Sequence, residues 1–329
     1  MIRLHKNEYS GAYPSEEFET LRHYCDAEQL REQLAQHLYI LPQWVALEQG
    51  ATLALERVFD RFDETPIQIS ADVWPTYFTI LHHTQRRGSL LLRLRELYEL
   101  NNSRSRFEQK SLQDRLLSDI GLLVITSPSN PDGSFVSPEE IEAVCNTKRH
   151  LTVLLDIAYH DYAKQPYNVQ EMLARHSNLV MIWSFSKTFG LAGARVGAIL
   201  CSDVELLGSF FLSPLGINSY SELLCLQALE KREFFVEQVQ RLRGRRDRFI
   251  NTVNQEMTSF TAYYSEGNFC LLKPHSMRSE DAQSRLRTRG VAVRHFPSTI
   301  WDKYLRVTIG TETEMVYLVH QLEELDGRV

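Results

Sequence analysis

Residues 184–197 read Ser-Phe-Ser-Lys-Thr-Phe-Gly-Leu-Ala-Gly-Ala-Arg-Val-Gly and follow directly on an apolar run at 179–183. A lysine just past a buried strand is seldom there for packing, because its ammonium group is costly to desolvate. In a confined site the Lys187 amine can lose its proton and attack a carbonyl carbon, forming a Schiff base. Ser184, Ser186 and Arg195 add two hydroxyls and a planar cation, a set suited to phosphate. Taken alone, Lys187 also fits a surface turn with a solvated ammonium group. Only eight of the 36 basic side chains are lysine, so each position carries information.

Two further segments place polar groups at the ends of apolar runs. Residues 124–133, Val-Ile-Thr-Ser-Pro-Ser-Asn-Pro-Asp-Gly, run into a loop that holds Asn130, and by itself this is a turn signal. Residues 152–159, Thr-Val-Leu-Leu-Asp-Ile-Ala-Tyr, end on Asp156 with Tyr159 three positions on. A carboxylate there needs a cation or several donors, although a strand-end aspartate is more often a cap or a turn former. Gly50, Ala51 and Thr52 stand at a strand-to-helix junction, where free amides favour an anion.

The elements that must position these groups follow from the periodicity. Short apolar runs bounded by Gly, Pro, Asn or Ser at 44–47, 67–70, 90–94, 122–126, 152–155, 179–183 and 196–200 read as strands. Amphipathic stretches at 52–62, 111–119 and 138–146 read as helices, the last with Ser137 as N-cap and Pro138 at its first position. Alternating strands and helices predict an α/β domain with a mostly parallel sheet, where ligands gather beyond the carboxyl ends of the strands. From about residue 219 the pattern changes to long helical stretches, including 222–257 with an arginine-rich segment at 241–248 that reads as a solvated helix face. A shorter α+β segment, 259–329, follows.

Composition narrows the function. The 329 residues are 43% hydrophobic and 24% charged, ordinary values for a globular chain. Against 42 acidic residues the 36 basic ones leave a net charge of -6, without the basic bias of a nucleic-acid binder. Any anionic ligand must therefore be held by local positive charge. Five dispersed cysteines without a C-x-x-C pair suggest a reducing compartment. Nothing in the sequence resembles a signal peptide or a membrane span, so a cytoplasmic, soluble protein is expected.

Taken in order, these segments resemble the pyridoxal-phosphate enzymes of the class I/II aminotransferase family, fold type I, and most of all its histidinol-phosphate aminotransferase branch. The resemblance runs from Asn7 to Gly310. It implies a three-layer α/β/α large domain with a mostly parallel mixed sheet at 28–218. The N-terminal arm, 1–27, and a small α+β domain, 219–329, would complete the chain. The implied cofactor is pyridoxal 5′-phosphate, held covalently by Lys187, which would also move the proton at the substrate α-carbon. Asp156 would face the pyridine nitrogen, Asn130 and Tyr159 would donate to the phenolic oxygen, and Tyr77 would stack on the ring. Ser184, Ser186, Arg195, Gly50, Ala51 and Thr52 would form the phosphate cup. Glu48, close to that cup, is expected to point away from it. Tyr24 resembles a tyrosine that reaches the cofactor phosphate of a neighbouring subunit, which implies a homodimer with shared sites.

For the substrate, the resemblance implies that Arg306, in Tyr-Leu-Arg-Val-Thr-Ile-Gly at 304–310, grips a carboxylate. Arg294 would take a second anionic group, and Asn268 and Asn7 would complete the pocket. The chain departs from the branch at Glu48 and Gln49, at Cys25 and at Tyr9, Ser10 and Gly11. Cys25 reads as an inert thiol, for no base accompanies it. The implied activity is a ping-pong aminotransferase acting on an amino acid or histidinol-phosphate-like amino-alcohol phosphate with 2-oxoglutarate. A threonine-phosphate decarboxylase-like lyase and an aromatic aminotransferase are the alternatives of the same fold. A cofactor-binding module without turnover is the alternative of another class.

Overall fold

The computed structural model describes residues 25–62, 65–69, 77, 79, 116, 120–210, 216–297, 299 and 301–327. Asn7, Tyr24, the expected strand at 90–94 and nearly all of the expected helix at 111–119 lie outside those residues.

In chain order the first elements are α1 (Glu28–His37), β1 (Val45–Glu48), α2 (Gly50–Arg61), β2 (Ile67–Ile69), β3 (Leu122–Thr126), α3 (Pro138–Thr147) and β4 (Thr152–Asp156). Next come α4 (Val169–Arg175), β5 (Leu179–Ser184), β6 (Gly197–Cys201), α5 (Val204–Ser209), α6 (Ser219–Glu230) and α7 (Arg232–Glu256). The last are β7 (Phe260–Ala262), β8 (Phe269–Pro274), α8 (Ser279–Thr288), β9 (Arg294–His295), β10 (Leu305–Thr308) and α9 (Glu312–Asp326).

Among the described residues, six strands form one mixed sheet in the order β1-β6-β5-β4-β3-β2. β2, β3, β4 and β5 pair in parallel, and β6 runs antiparallel to both β5 and β1. The central strands are continuous apolar runs because both of their faces are covered. Leu123, Ile125, Val153, Leu155 and Met181 pack with residues of α1, α3, α4 and α6, whereas Leu122, Val124, Leu154 and Val180 pack with residues of α2 and α5. The result is an α/β fold of three layers. Where the sequence predicts strands among the described residues, strands form, with ends shifted by at most one residue. The Ser137 hydroxyl accepts from the Glu140 amide at the start of α3, as its position before Pro138 predicts.

A second, antiparallel sheet has the order β7-β8-β10-β9. One face is covered by Phe249 and Val253 of α7, Leu286 of α8, and Leu318 and Leu322 of α9, which meet Cys270, Leu272, Leu305 and Val307. Arg306 alternates with Leu305 and Val307, and so belongs to the opposite face. Its register partners there are Leu271 on β8 and Arg294 on β9.

Two expectations for the second half need correction. The stretch 222–257 is two helices, because the chain turns at Lys231 (φ -98, ψ 22) although no Gly or Pro marks the break. The arginine run at 241–248 is not a uniformly solvated face. Arg246 is fully buried, with its charge met by two main-chain carbonyls and by Asp247.

Candidate active site

A cleft opens beyond the carboxyl ends of β3, β4 and β5. Ala51, Thr52, Tyr77, Asn130, Asp156, Tyr159, Ser184, Ser186, Lys187 and Arg195 all line it. Parallel pairing explains the convergence. Thr126 and Asp156 are register partners at the ends of β3 and β4, and Ser184 ends the adjacent β5. Loops leaving those strands then deliver Asn130, Tyr159 and Lys187 to one place.

At one end of the cleft the chain makes a cradle. Gly50 has φ +80, and a Cβ built there would lie 2.6 Å from Arg195 Nη2. At Gly197 the neighbour is main chain: a Cβ there would meet Ala51 N at 2.7 Å and the Gly50 carbonyl carbon at 2.8 Å. These absences bring the first turn of α2, with its free amides, against the end of β6 and the Arg195 guanidinium. Among the described residues no carboxylate pairs with Arg195, whose guanidinium makes one long contact, 3.4 Å, to the Ala192 carbonyl. Arg195 itself sits in the left-handed region at φ 54. The Ser184 hydroxyl accepts from the Ser186 amide at 3.1 Å. The buried Glu48 carboxylate lies 3.6 Å from Arg57, and burial raises its pKa against the pull of that arginine.

Asp156 forms the floor. One carboxylate oxygen accepts from the Ala158 amide at 2.9 Å and the other from the buried Tyr77 phenol. Burial raises the Asp156 pKa, and the Tyr77 and Ala158 bonds and the Lys187 charge oppose that rise. The Tyr77 phenol is pushed well above its ordinary value, by burial first and by Asp156 second. The Lys187 ammonium lies 5.2 Å from the centre of the Tyr159 ring, which packs edge-on against Phe269. Thr126 adds a buried hydroxyl with no partner among the described residues.

The second sheet supplies the other wall. Arg306 Nη1 donates to Asn130 Oδ1 at 2.6 Å, which leaves the Asn130 amide nitrogen as a donor toward the cleft. The Arg306 guanidinium lies 5.5 Å from the Phe269 ring centre and 5.7 Å from that of Phe296, and its buried Nε is unpartnered. Burial lowers its pKa, and no carboxylate pairs with it among the described residues. Arg294, exposed, also lies 5.7 Å from the Phe296 ring centre. Asn268 precedes Phe269, and its carbonyl accepts from the Ile309 amide just past β10. Gly50, Arg306, Arg294 and Asn268 are not among the lining residues; Gly50 lies against Arg195 and Arg306 against Asn130, which are. Cys25 donates to Glu222 at 2.8 Å, and burial together with that carboxylate raises the thiol pKa to about 12.

Sequence reasoning missed Thr126, Tyr162 and Phe296. Thr126 could have been found by parity, since it shares a sheet face with Asp156 at the end of the neighbouring strand. Phe296, two residues after Arg294, had only the strand period to mark it.

The geometry defines a cofactor-binding α/β enzyme fold with a lysine, a carboxylate and an anion cradle in one cleft. Residues 4–322 match the family model described as aminotransferase class I and II, and the chain belongs to that family. A curated histidinol-phosphate aminotransferase of Methanocaldococcus jannaschii is 29% identical over 219 residues, which cover 66% of this chain and 58% of that protein. Among solved structures, the L-threonine-O-3-phosphate decarboxylase of Porphyromonas gingivalis superposes with TM-score 0.81 at 19% identity, covering 94% of this chain and 92% of that one. The histidinol-phosphate aminotransferase of Clostridium acetobutylicum gives TM-score 0.79 at 17% identity, covering 95% and 93%. The cofactor of the family is pyridoxal 5′-phosphate. The cleft fits it: the cradle that a methyl group would fill, the unpaired Arg195 and the buried Asp156 match a phosphate at one end and a protonated ring nitrogen at the floor.

Proposed function

We propose that this chain is a pyridoxal-phosphate-dependent aminotransferase. It would move an amino group between an amino acid or a histidinol-phosphate-like amino-alcohol phosphate and 2-oxoglutarate, in two ping-pong half-reactions. The observation that carries the reading is the delivery of Arg306 to Asn130 from the second sheet, which sets an unpaired guanidinium beside the Lys187 cleft.

When bound, the cofactor supplies an electrophilic carbon and a ring that accepts electrons. The residues of this chain do the rest. Ser184, Ser186, Arg195 and the amides at Gly50, Ala51 and Thr52 would hold the phosphate. Asp156 would keep a proton on the ring nitrogen through its negative charge. Asn130 and Tyr159 would donate to the phenolic oxygen, and Tyr77 would close the ring face. Lys187 would anchor the cofactor and carry the proton at the substrate α-carbon.

Arg306 binds a carboxylate at two points, which lysine cannot imitate, and Arg294 offers charge to a second anionic group. Paired arginines suit both glutamate and a phosphorylated amine. Asn268 and Asn7 would complete the pocket. Tyr24 would come from the second subunit of a cytoplasmic homodimer, as the family resemblance suggests. Within this reading, 28–218 form the cofactor-binding domain, with 1–27 and 219–329 as arm and small domain.

The test is a donor screen on cofactor-loaded protein, following loss of the visible band near ~420 nm that a protonated lysine–cofactor Schiff base gives. Glutamate and histidinol phosphate are expected to bleach it without carbon dioxide release. Failure of every amino donor to do so refutes transamination. Carbon dioxide release from threonine phosphate would move the chain to the lyase reading.

A further inference from the structure

The segment after Asp156 does more than supply Tyr159. A short helical turn, His160–Tyr162, follows, and two of its side chains hold the lysine turn from below. The Asp161 carboxylate accepts from the Thr188 hydroxyl at 2.5 Å. The buried Tyr162 hydroxyl donates to the main-chain carbonyl of Lys187 at 3.0 Å, a carbonyl that also accepts from the Gly190 amide at 3.1 Å. Tyr162 is itself tied down. Arg246, fully buried on α7, donates through Nη1 to the Tyr162 carbonyl at 3.2 Å and to the Gly267 carbonyl at 2.9 Å. Gly267 directly precedes Asn268. One phenol and one guanidinium therefore join the turn that carries the lysine to the turn that carries Asn268.

We propose that Tyr162 is a positioning residue that sets the main chain of Lys187, and that Arg246 sets Tyr162, so that the lysine and the Asn268 wall are registered by one buried bridge. A buried arginine of this kind is expensive, and Asp247, its salt-bridge partner at 3.0 Å, is partly exposed. Carbonyl clamping is what it does there: the two hydrogens of Nη1 reach two carbonyls from different turns at once. The bridge acts on where the amine sits, and small displacements of a nucleophile cost rate out of proportion to their size.

This inference rests on the cofactor reading above, and the two can fail separately. Cofactor-free protein is mixed with pyridoxal 5′-phosphate and the growth of the visible band is timed. Affinity for pyridoxamine 5′-phosphate, which cannot condense with lysine, is measured in parallel. If the wild type forms no band, the cofactor reading fails. Given a wild-type band, Tyr162→Phe is expected to slow its growth roughly tenfold, the scale of one buried hydrogen bond, while pyridoxamine phosphate affinity is unchanged. Arg246→Lys is expected to slow it likewise, and the double variant is expected to be no slower than the slower single variant. An unchanged rate in Tyr162→Phe overturns the proposal, and so does a fall in pyridoxamine phosphate affinity that matches the fall in rate. Should Arg246→Lys not fold, Tyr162→Phe alone decides, because it removes a single hydroxyl.

Discussion

At the phosphate-cradle end of the cleft, Gly197 of β6 rests against the main chain of Gly50 and Ala51, and the fit depends on two absent side chains. At the opposite end, Arg306 reaches Asn130 side chain to side chain, stacked between Phe269 and Phe296, with Arg294 also near Phe296. The first end is dimensioned by backbone contacts within a single sheet layer. The second is assembled from side chains of another sheet. Damage at the first end should therefore reach the cofactor, whereas damage at the second should reach substrates while the cofactor stays in place.

The most severe test falls on the lysine between the two ends. Lys187→Ala is expected to abolish the visible band and to lower turnover by on the order of 10³-fold or more, measured by absorbance and a coupled assay. Asp156→Asn should lower turnover by about 10²- to 10³-fold with the band retained, because it removes charge aimed at the ring and leaves the anchor.

The same residue predicts a pH effect. Burial raises the Asp156 pKa in the cofactor-free fold. Its contribution to stability is then fully present below the ordinary carboxylate value of ~4 and is lost as pH rises through the raised value. Melting temperature of the cofactor-free protein should fall across that window, and Asp156→Asn should flatten the fall.

At the arginine end, Arg306→Lys should raise the KM for amino donors by about 10- to 100-fold, with cofactor affinity and melting temperature unmoved. If cofactor affinity drops with it, the two ends are not separable. Gly197→Ala should do the converse. A methyl group pressed onto the α2 main chain should weaken cofactor binding by about tenfold, as titrated by fluorescence, and leave donor preference among the loaded molecules unaltered. The smallest change is expected for Arg294→Ala, because Arg294 is exposed. A rise in KM of roughly two- to fivefold, confined to donors with a second anionic group, would match its position.

What was legible in the sequence divides along the same line. Lys187 and Arg195 share one short segment, and Asn130 and Asp156 stand at the ends of apolar strands, so local pattern reveals them. Parallel pairing of β3, β4 and β5 then places those ends side by side. Tyr162 and Arg246 carry no such mark, since their partners are 25 and 84 positions away and the sense of each contact comes from the packed fold. Arg246 was hidden further by its neighbours, several of which do face solvent. The turn at Lys231 was illegible for a different reason: the stretch reads as helix on both sides, and no Gly or Pro marks where α6 ends and α7 begins.

The contact at Gly197 has one more consequence. A backbone that touches backbone leaves little to vary, because any side chain added at Gly197 presses on the α2 main chain. Substrate preference, by contrast, hangs on rings and guanidinium groups that tolerate exchange one at a time. Selection acting on this chain could thus re-tool the Phe296 neighbourhood through successive viable intermediates while the grip on the cofactor never loosens, and the same asymmetry gives a protein engineer a protected core chemistry and an editable face.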